Sequence, residues 1–260
     1  MARMDNQMVG FQTLFSKEIT RFLKVGFQTI GAPVLTALLY LLIFSNALRG
    51  RIEVYPGSGI DYLQFLVPGL AVMSLLQNAF ANTSSSIAQS KMMGNIVFVL
   101  LPPISHLEFF LAYVLAAVVR GLIVGFVVVF ASMLFVALPI ENLLTILTFG
   151  FLGATMLGSL GLIAGIWADK FDQIAAFQNF VILPMTFLSG VFYSVHDLPN
   201  FWQLVSYLNP FFYLIDGFRA GFFGVSDVEV FHSLIIVSAV TFALSFGCFL
   251  LIRAGYKLRS

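Results

Sequence analysis

Charge is scarce in this sequence: 10% of its 260 residues are Asp, Glu, Lys or Arg, against about a quarter in a soluble domain. With 60% hydrophobic residues and a mean hydropathy of +0.98, that scarcity excludes a water-soluble fold, which could not hide so much apolar surface. Cysteine is almost absent. The single Cys248 lies in an apolar run, which excludes internal disulfides, a zinc cluster and paired-thiol redox chemistry and leaves a small packed side chain. Histidine is limited to His106, His196 and His232, far apart and without HExxH spacing, so no metal site is expected. No GxSxG elbow occurs, and no GxxxxGK followed by Ser or Thr, so the chain is not expected to be an enzyme or to bind ATP by that loop. A net charge of +1 without a basic tail gives no reason to expect nucleic acid as a partner. The first 25 residues carry Asp5, Lys17, Glu18, Arg21 and Lys24 and lack an unbroken apolar core, which argues against a cleaved signal peptide.

What is abundant is apolar length. Thirty Phe, 21 Gly and nine Met supply the large and small side chains with which helices pack in lipid. Six stretches have the roughly 20 residues needed to cross a bilayer core of about 30 Å: Thr29–Leu48, Leu63–Ile87, Leu107–Leu138, Leu143–Ala168, Ile174–Tyr193 and Phe231–Ile252. The third is too long for a simple span and is expected to begin as a surface segment. Ahead of all six, Phe11, Leu14, Phe15, Ile19, Phe22 and Leu23 share one helical face and Lys17, Arg21 and Lys24 the other. That spacing predicts a helix lying in the membrane interface or capping the bundle from the cytosol. The expected fold is all-α: a polytopic membrane protein with six transmembrane helices, an N-terminal interfacial helix and external re-entrant helices. It divides into a cytoplasmic N-terminus (1–28), a transmembrane domain (29–252, with a re-entrant segment at 195–224) and a cytoplasmic tail (253–260).

Orientation follows from Lys and Arg, which collect in cytoplasmic loops. With the N-terminus inside, Arg3, Lys17, Arg21, Lys24, Lys91, Lys170, Arg253, Lys257 and Arg259 fall on the cytoplasmic side, nine of thirteen cations. Arg49, Arg51 and Arg219 fall outside and Arg120 within the third span. An even number of spans returns the C-terminus to the cytoplasm.

Three segments carry candidate function. In the loop QSKMMGNIVFVLLPPISH (89–106), Lys91, Gly94 and Asn95 precede a short apolar run that Pro102 and Pro103 must stop, which predicts a short cytoplasmic helix fit for a partner's groove, or an ordinary loop. Arg120 sits inside the third span, where a cation costs at least about 2.5 kcal/mol on insertion scales. It either supports assembly, by snorkelling or pairing, or lines a transport path. Asn78, Asn82, Thr83, Ser84, Ser85 and Ser86 make half of the second span polar, suited to joining helices or to meeting cargo. The third segment, Leu188–Gly224, is aromatic but broken by Pro199, Asn209 and Pro210, and reads as two short re-entrant helices on the outer side. Trp202, Tyr207 and Tyr213 suit the headgroup level there, and Asp216 and Arg219, three apart, are placed to pair on one helical face.

Five stretches together resemble the type-two ABC exporter permeases: FLVPGL (65–70), KMMGN with LLPPIS after it (91–105), VVRGL (118–122), LPMTFLSGVFYS (183–194) and LPNFWQLVSYLNPFFYLIDGFR (198–219). The likeness spans nearly the whole chain and is greatest to small Gram-negative inner-membrane members. It implies a homodimer of this chain with two copies of a separate ABC ATPase, which would hold ATP and magnesium, this chain having no cofactor of its own. It also implies that the helix bearing Lys17, Glu18 and Arg21, and the loop bearing Lys91, Gly94 and Asn95, contact that ATPase. Many relatives carry Glu where this chain has Val97. The implied path for an amphipathic, lipid- or saccharide-like substrate or drug lies between two copies, lined by the second and fifth spans, with Asn78, Asn82, Arg120 and Thr186 as candidates. The re-entrant helices would cap its outer end. A stand-alone carrier or a scaffold is the rival reading, though a proton-coupled carrier would bury carboxylates in mid-span, where this sequence has none.

Overall fold

A computed structural model describes residues 2–48 and 59–257. Among the described residues every regular element is helical. Arg49, Arg51 and Arg259, three of the cations that set the expected orientation, lie outside the described residues.

The chain opens with α1 (Ala2–Lys24), bends at Val25 and continues as α2 (Gly26–Leu48). The stripe of α1 turned to the bundle is Leu14, Glu18 and Phe22, so a carboxylate lies in the middle of the buried face. α2 is thinly covered by protein, with Phe27, Leu35, Leu39, Leu42 and Ile43 all exposed. Next come α3 (Tyr62–Met92), the short α4 (Ile96–Leu100), α5 (His106–Ser132) and α6 (Leu143–Trp167). α3 is the central post. At 31 residues and 1.5 Å per residue it outreaches a bilayer core, and most of its length is buried between α5 and α6.

Small residues permit that burial. A Cβ on Gly161 of α6 would come within 2.4 Å of the Phe80 carbonyl oxygen, and one on Gly165 within 2.9 Å of the Ser84 carbonyl. Gly121 and Gly125 of α5 approach the same post at Leu75 and Ala71. Both are pairs of glycines four residues apart, the spacing that lets helix backbones touch in lipid.

Among the described residues five helical stretches are long and apolar enough to cross a membrane: Gly26–Ser45, α3, α5, α6 and α11 (Val230–Ala254). The expected fifth span, Ile174–Tyr193, is a shorter helical run that carries a π turn, and it is not among these five. It runs through α7 (Phe171–Phe177), a wide π turn (Gln178–Ile182) and α8 (Leu183–Phe187), pieces of seven, five and five residues. Pro184 accounts for the π turn: its ring has no N–H to donate and crowds the carbonyl four residues earlier, at Phe180, which the wider turn accommodates. The third span also differs from expectation. Ser105 and Glu108 form a capping box that starts α5 at His106 as one unbroken helix, and the surplus of the expected stretch lies at its far end. The chain leaves the helix after Ser132 and turns toward Pro139, before which a helix does not readily continue.

Beyond α8 come two short helices, α9 (Asn200–Tyr207) and α10 (Pro210–Phe223), where prolines and Asn209 predict breaks. α10 is almost wholly buried against α6, α11 and α3. It is bolted to the start of α6, because the Glu141 and Asn142 amides both donate to the Gly221 carbonyl at 3.1 and 2.8 Å. The starts of α3, α6 and α11 thus gather with α10 at one end of the bundle. The ends of α3, α6 and α11 gather at the other, where Lys91, Asp169 and Lys257 meet.

Candidate functional site

A polar seam runs along one side of α3. Arg120 of α5 donates through Nε and Nη2 to Asn78 Oδ1 at 3.2 and 3.0 Å, and Asn78 Nδ2 donates to the Ser74 carbonyl at 3.0 Å. One turn along, Arg21 of α1 donates from Nη2 to the Asn82 carbonyl at 2.7 Å and to Asn82 Oδ1 at 3.0 Å, and from Nη1 to Ser85 Oγ at 3.3 Å. Asn82 Nδ2 is buried without an acceptor. Glu18, wholly enclosed, takes Arg21 Nε at 3.0 Å, Lys17 Nζ at 3.0 Å and Ser86 Oγ at 2.7 Å. The Lys17 ammonium also lies 5.7 Å from the centre of the Tyr113 ring.

Among the described residues Arg120 meets no acid, but is held half-buried by an amide oxygen. Asn78, Asn82 and Arg120 do come together. Thr186 does not join them. It is buried, its hydroxyl donating back to the Ile182 carbonyl at 2.7 Å while its own carbonyl accepts from Ser189 Oγ, so within this chain it satisfies the helix at the π turn. The seam is open on one side, where Ser74, Gln77, Ala81 and Ser85, spaced along one face of α3, remain half-exposed.

The expected coupling residues divide. Glu18 and Arg21 turn inward and lock α1 to α3, so their polar groups are not free for a partner. Lys91 is committed as well. Its ammonium donates to the Ile166 and Ala168 carbonyls at 2.6 and 2.9 Å and lies 3.6 Å from Asp169, capping the end of α6. Lys257 from the end of α11 completes the cluster, donating to Asp169 at 2.7 Å and to the Trp167 carbonyl at 3.1 Å. The Lys257 hydrogen bond holds the Asp169 carboxyl below its usual range and, reciprocally, pushes the Lys257 ammonium up. No local pattern marked Asp169 or Lys257, since the three helix ends are far apart in sequence.

Gly94 and Asn95 stay exposed, and Gly94 takes the left-handed backbone that turns the chain from α3 into α4. α4 buries Ile96 alone and shows Val97, Phe98 and Leu100 outward, flanked by exposed Met93 and Leu101. Between this apolar knuckle and α1 lies a groove of about 500 Å³ lined by Val9, Leu14, Lys17, Phe98, Val99 and Ile104.

At the opposite end Pro199 and Asn209 start the two short helices, with Pro210 in the first turn of α10 and the Asn209 side chain accepting from the Phe211 amide at 3.0 Å. Asn209 Nδ2 also donates to the Met185 carbonyl at 2.6 Å, tying this unit to α8. Trp202 is exposed on α9 beside Phe201 and Leu204. The pairing expected of Asp216 and Arg219 is not formed, although both are buried. Asp216 accepts the Asp227 and Val228 amides at 2.8 and 3.0 Å, while Arg219 donates to the Gly190 carbonyl at 2.8 Å with its guanidinium carbon 3.5 Å from the Phe65 ring centre. Tertiary partners outcompete the short-range pair, because two buried loops each need their backbone groups satisfied.

Comparisons with known proteins agree with this architecture. The sequence pattern of the family described as ABC-2 type transporter matches residues 9–223. The chain is 38% identical over 252 residues to the inner membrane transport permease YadH of Escherichia coli (strain K12), covering 97% of this chain and 98% of that one. It is 26% identical over 224 residues to nodulation protein J of Sinorhizobium fredii, covering 84% and 82%. To the daunorubicin resistance ABC transporter permease protein DrrB1 of Streptomyces coeruleorubidus it is 24% identical over 190 residues, covering 68% and 62%. With a bundle of apolar helices and a family pattern spanning most of its length, the chain belongs to the ABC-2 type transporter family.

Proposed function

We propose that this chain is the membrane-spanning subunit of an exporter in a bacterial inner membrane, built from two copies of it and two copies of a separate ABC ATPase. The observation that carries the reading is the open polar seam of α3 in an otherwise apolar bundle. Polar side chains at membrane depth are retained where they line a route or join helices, and this seam is left uncovered along Ser74, Gln77 and Ser85. A second copy facing it would close a path for an amphipathic, lipid- or saccharide-like substrate or drug. The ATPase, holding ATP and magnesium, docks on the knuckle at Met93–Leu101 with Gly94 and Asn95, at the end that carries Lys91 and Lys257, a cationic end that suits the cytoplasmic side and would put both termini there. Contact there is by shape and apolar area, since Val97 offers no charge. ATP closes the ATPase pair, and α4 and α1 pass that movement to the bundle; the ligand acts by its differential affinity for two states. Helices α9 and α10 cap the outer end.

The test is purification of the tagged chain from native membranes in mild detergent. A soluble ABC ATPase should accompany it, and hydrolysis in reconstituted vesicles should rise with cargo. Uphill transport by the chain alone would instead mark a stand-alone carrier, and no partner and no transport a scaffold.

A further inference from the structure

Arg120 bears a charge that the bundle leaves unbalanced. Among the described residues no carboxylate pairs with it, and Asn78 Oδ1 accepts both hydrogen bonds that it donates. Among the described residues its Nη1 meets no acceptor, on a side chain that is only partly buried. One turn along α3, Asn82 holds Arg21, whose carboxylate, Glu18, is shared with Lys17. The seam therefore sets Lys17, Arg21 and Arg120 against Glu18, a clear excess of positive charge facing an open side.

Cations at membrane depth persist where a counter-charge reaches them. A planar guanidinium with free donors is shaped for an oxyanion, which it binds through parallel N–H bonds. Asn78 fixes the plane of Arg120 by gripping Nε and Nη2 together, which orients Nη1 before any ligand arrives. The surroundings select what carries the anion. Ile123, one turn from Arg120, is exposed, and Val119 beside it is half-exposed, so the wall next to the charge is apolar. A free hydrated anion would gain nothing from that wall; a molecule with an alkyl or aromatic part behind its anionic end would.

We propose that Arg120, seated on Asn78 with Arg21 one turn away, binds the phosphate or carboxylate headgroup of an amphipathic molecule entering the open face of α3. The assignment rests on reading that face as the transport path, and it narrows the cargo to anionic amphipaths.

The experiment uses the full chain in dodecyl maltoside, titrated with dodecyl phosphate and followed by native mass spectrometry. Inorganic phosphate serves as competitor. The wild type should bind dodecyl phosphate saturably, with inorganic phosphate failing to displace it at equal concentration. Arg120→Gln should weaken binding about tenfold or more, Arg120→Lys should fall between, and the exposed Arg253→Gln should match wild type. Equal binding by Arg120→Gln of unchanged thermal stability overturns the proposal, and equal competition by inorganic phosphate overturns its amphipathic half. An altered stability in Arg120→Gln shifts the decision to Arg120→Lys, where binding at the wild-type level together with displacement by inorganic phosphate overturns it. Co-purification of an ATPase is scored on the same preparations, so loss of the partner and loss of anion binding are read separately.

Discussion

Arg21 of α1 grips Asn82 of α3 twice, at the backbone carbonyl and at the side-chain oxygen, 2.7 and 3.0 Å away. A carbonyl inside a helix normally serves only its own ladder, so this grip fixes α1 to one particular turn of α3. Glu18 makes the grip possible by neutralising Arg21 from the buried side at 3.0 Å.

Replacing Glu18 with Gln leaves two cations at a site that lost its anion. The change should destabilise the protein by about 3 kcal/mol, at the low end for breaking a buried pair, because the Lys17 side chain is 43% exposed and partly screened by solvent. Thermal unfolding in detergent measures it. Ser86→Ala removes one hydrogen bond to the same carboxylate and should lose about 1.5–3 kcal/mol; a silent Glu18→Gln would mean that α1 is held by its apolar face alone.

The close approach of α6 to α3 predicts an opposed pair of outcomes from one kind of substitution. Gly161→Ala drives a methyl to 2.4 Å from the Phe80 carbonyl and from Thr83 Oγ1, so the helices must part and the protein should fail to accumulate. Gly247→Ala in α11 meets nothing within 4 Å and should stabilise its helix by up to about 1 kcal/mol. Membrane yield and unfolding temperature of the two variants provide the comparison.

Arg219→Lys tests a stacked cation. The substitution keeps the charge but not the flat face laid on Phe65 at 3.5 Å, and an ammonium cannot reproduce that stacking geometry. The expected result is earlier proteolysis within Phe187–Pro199, whose Gly190 carbonyl Arg219 holds at 2.8 Å. Cleavage no faster than in wild type would place the anchoring of that loop elsewhere, in the Ser194 hydroxyl and Val195 amide that donate to Asp227.

The Asp169–Lys257 contact has a defined pH window. Asp169 is depressed by Lys257, so its contribution is present above the ordinary carboxylate value of about 3.9 and fades as pH falls through the lowered one. Lys257 is raised, so its contribution is present below its ordinary value of about 10.4 and fades as pH rises through the raised one. Between those limits the difference in unfolding temperature between wild type and Asp169→Asn should be flat, and it should close at both extremes. A slope in mid-range would point to a different titrating group.

Apolar length made the bundle legible: α3, α5, α6 and α11 begin or end within a few residues of the expected spans, and Pro199 and Pro210 marked both short helices. Asn78, Asn82 and Arg120 were legible because polar groups at membrane depth are conspicuous. What failed were inferences from spacing alone. The i, i+3 relation of Asp216 and Arg219 carried no information about the loops each would serve. The helical wheel of α1 assigned the cations to one side and left Glu18 unplaced; four residues from both Leu14 and Phe22, flanked by Lys17 and Arg21 and met by Ser86, its carboxylate is buried in the apolar stripe. Lys91 looked like a loop cation, but the carbonyls at the end of α6 claim it.

Thin cover on α2 gives the molecule a built-in order of yielding. A helix whose outer residues rest on no protein of this chain surrenders few contacts when it tilts, whereas α3, clamped on both sides by backbones meeting at glycines, surrenders many. Because a single bent residue, Val25, joins α2 to α1, any push on the first helix is delivered to the one wall of the bundle that is least fastened.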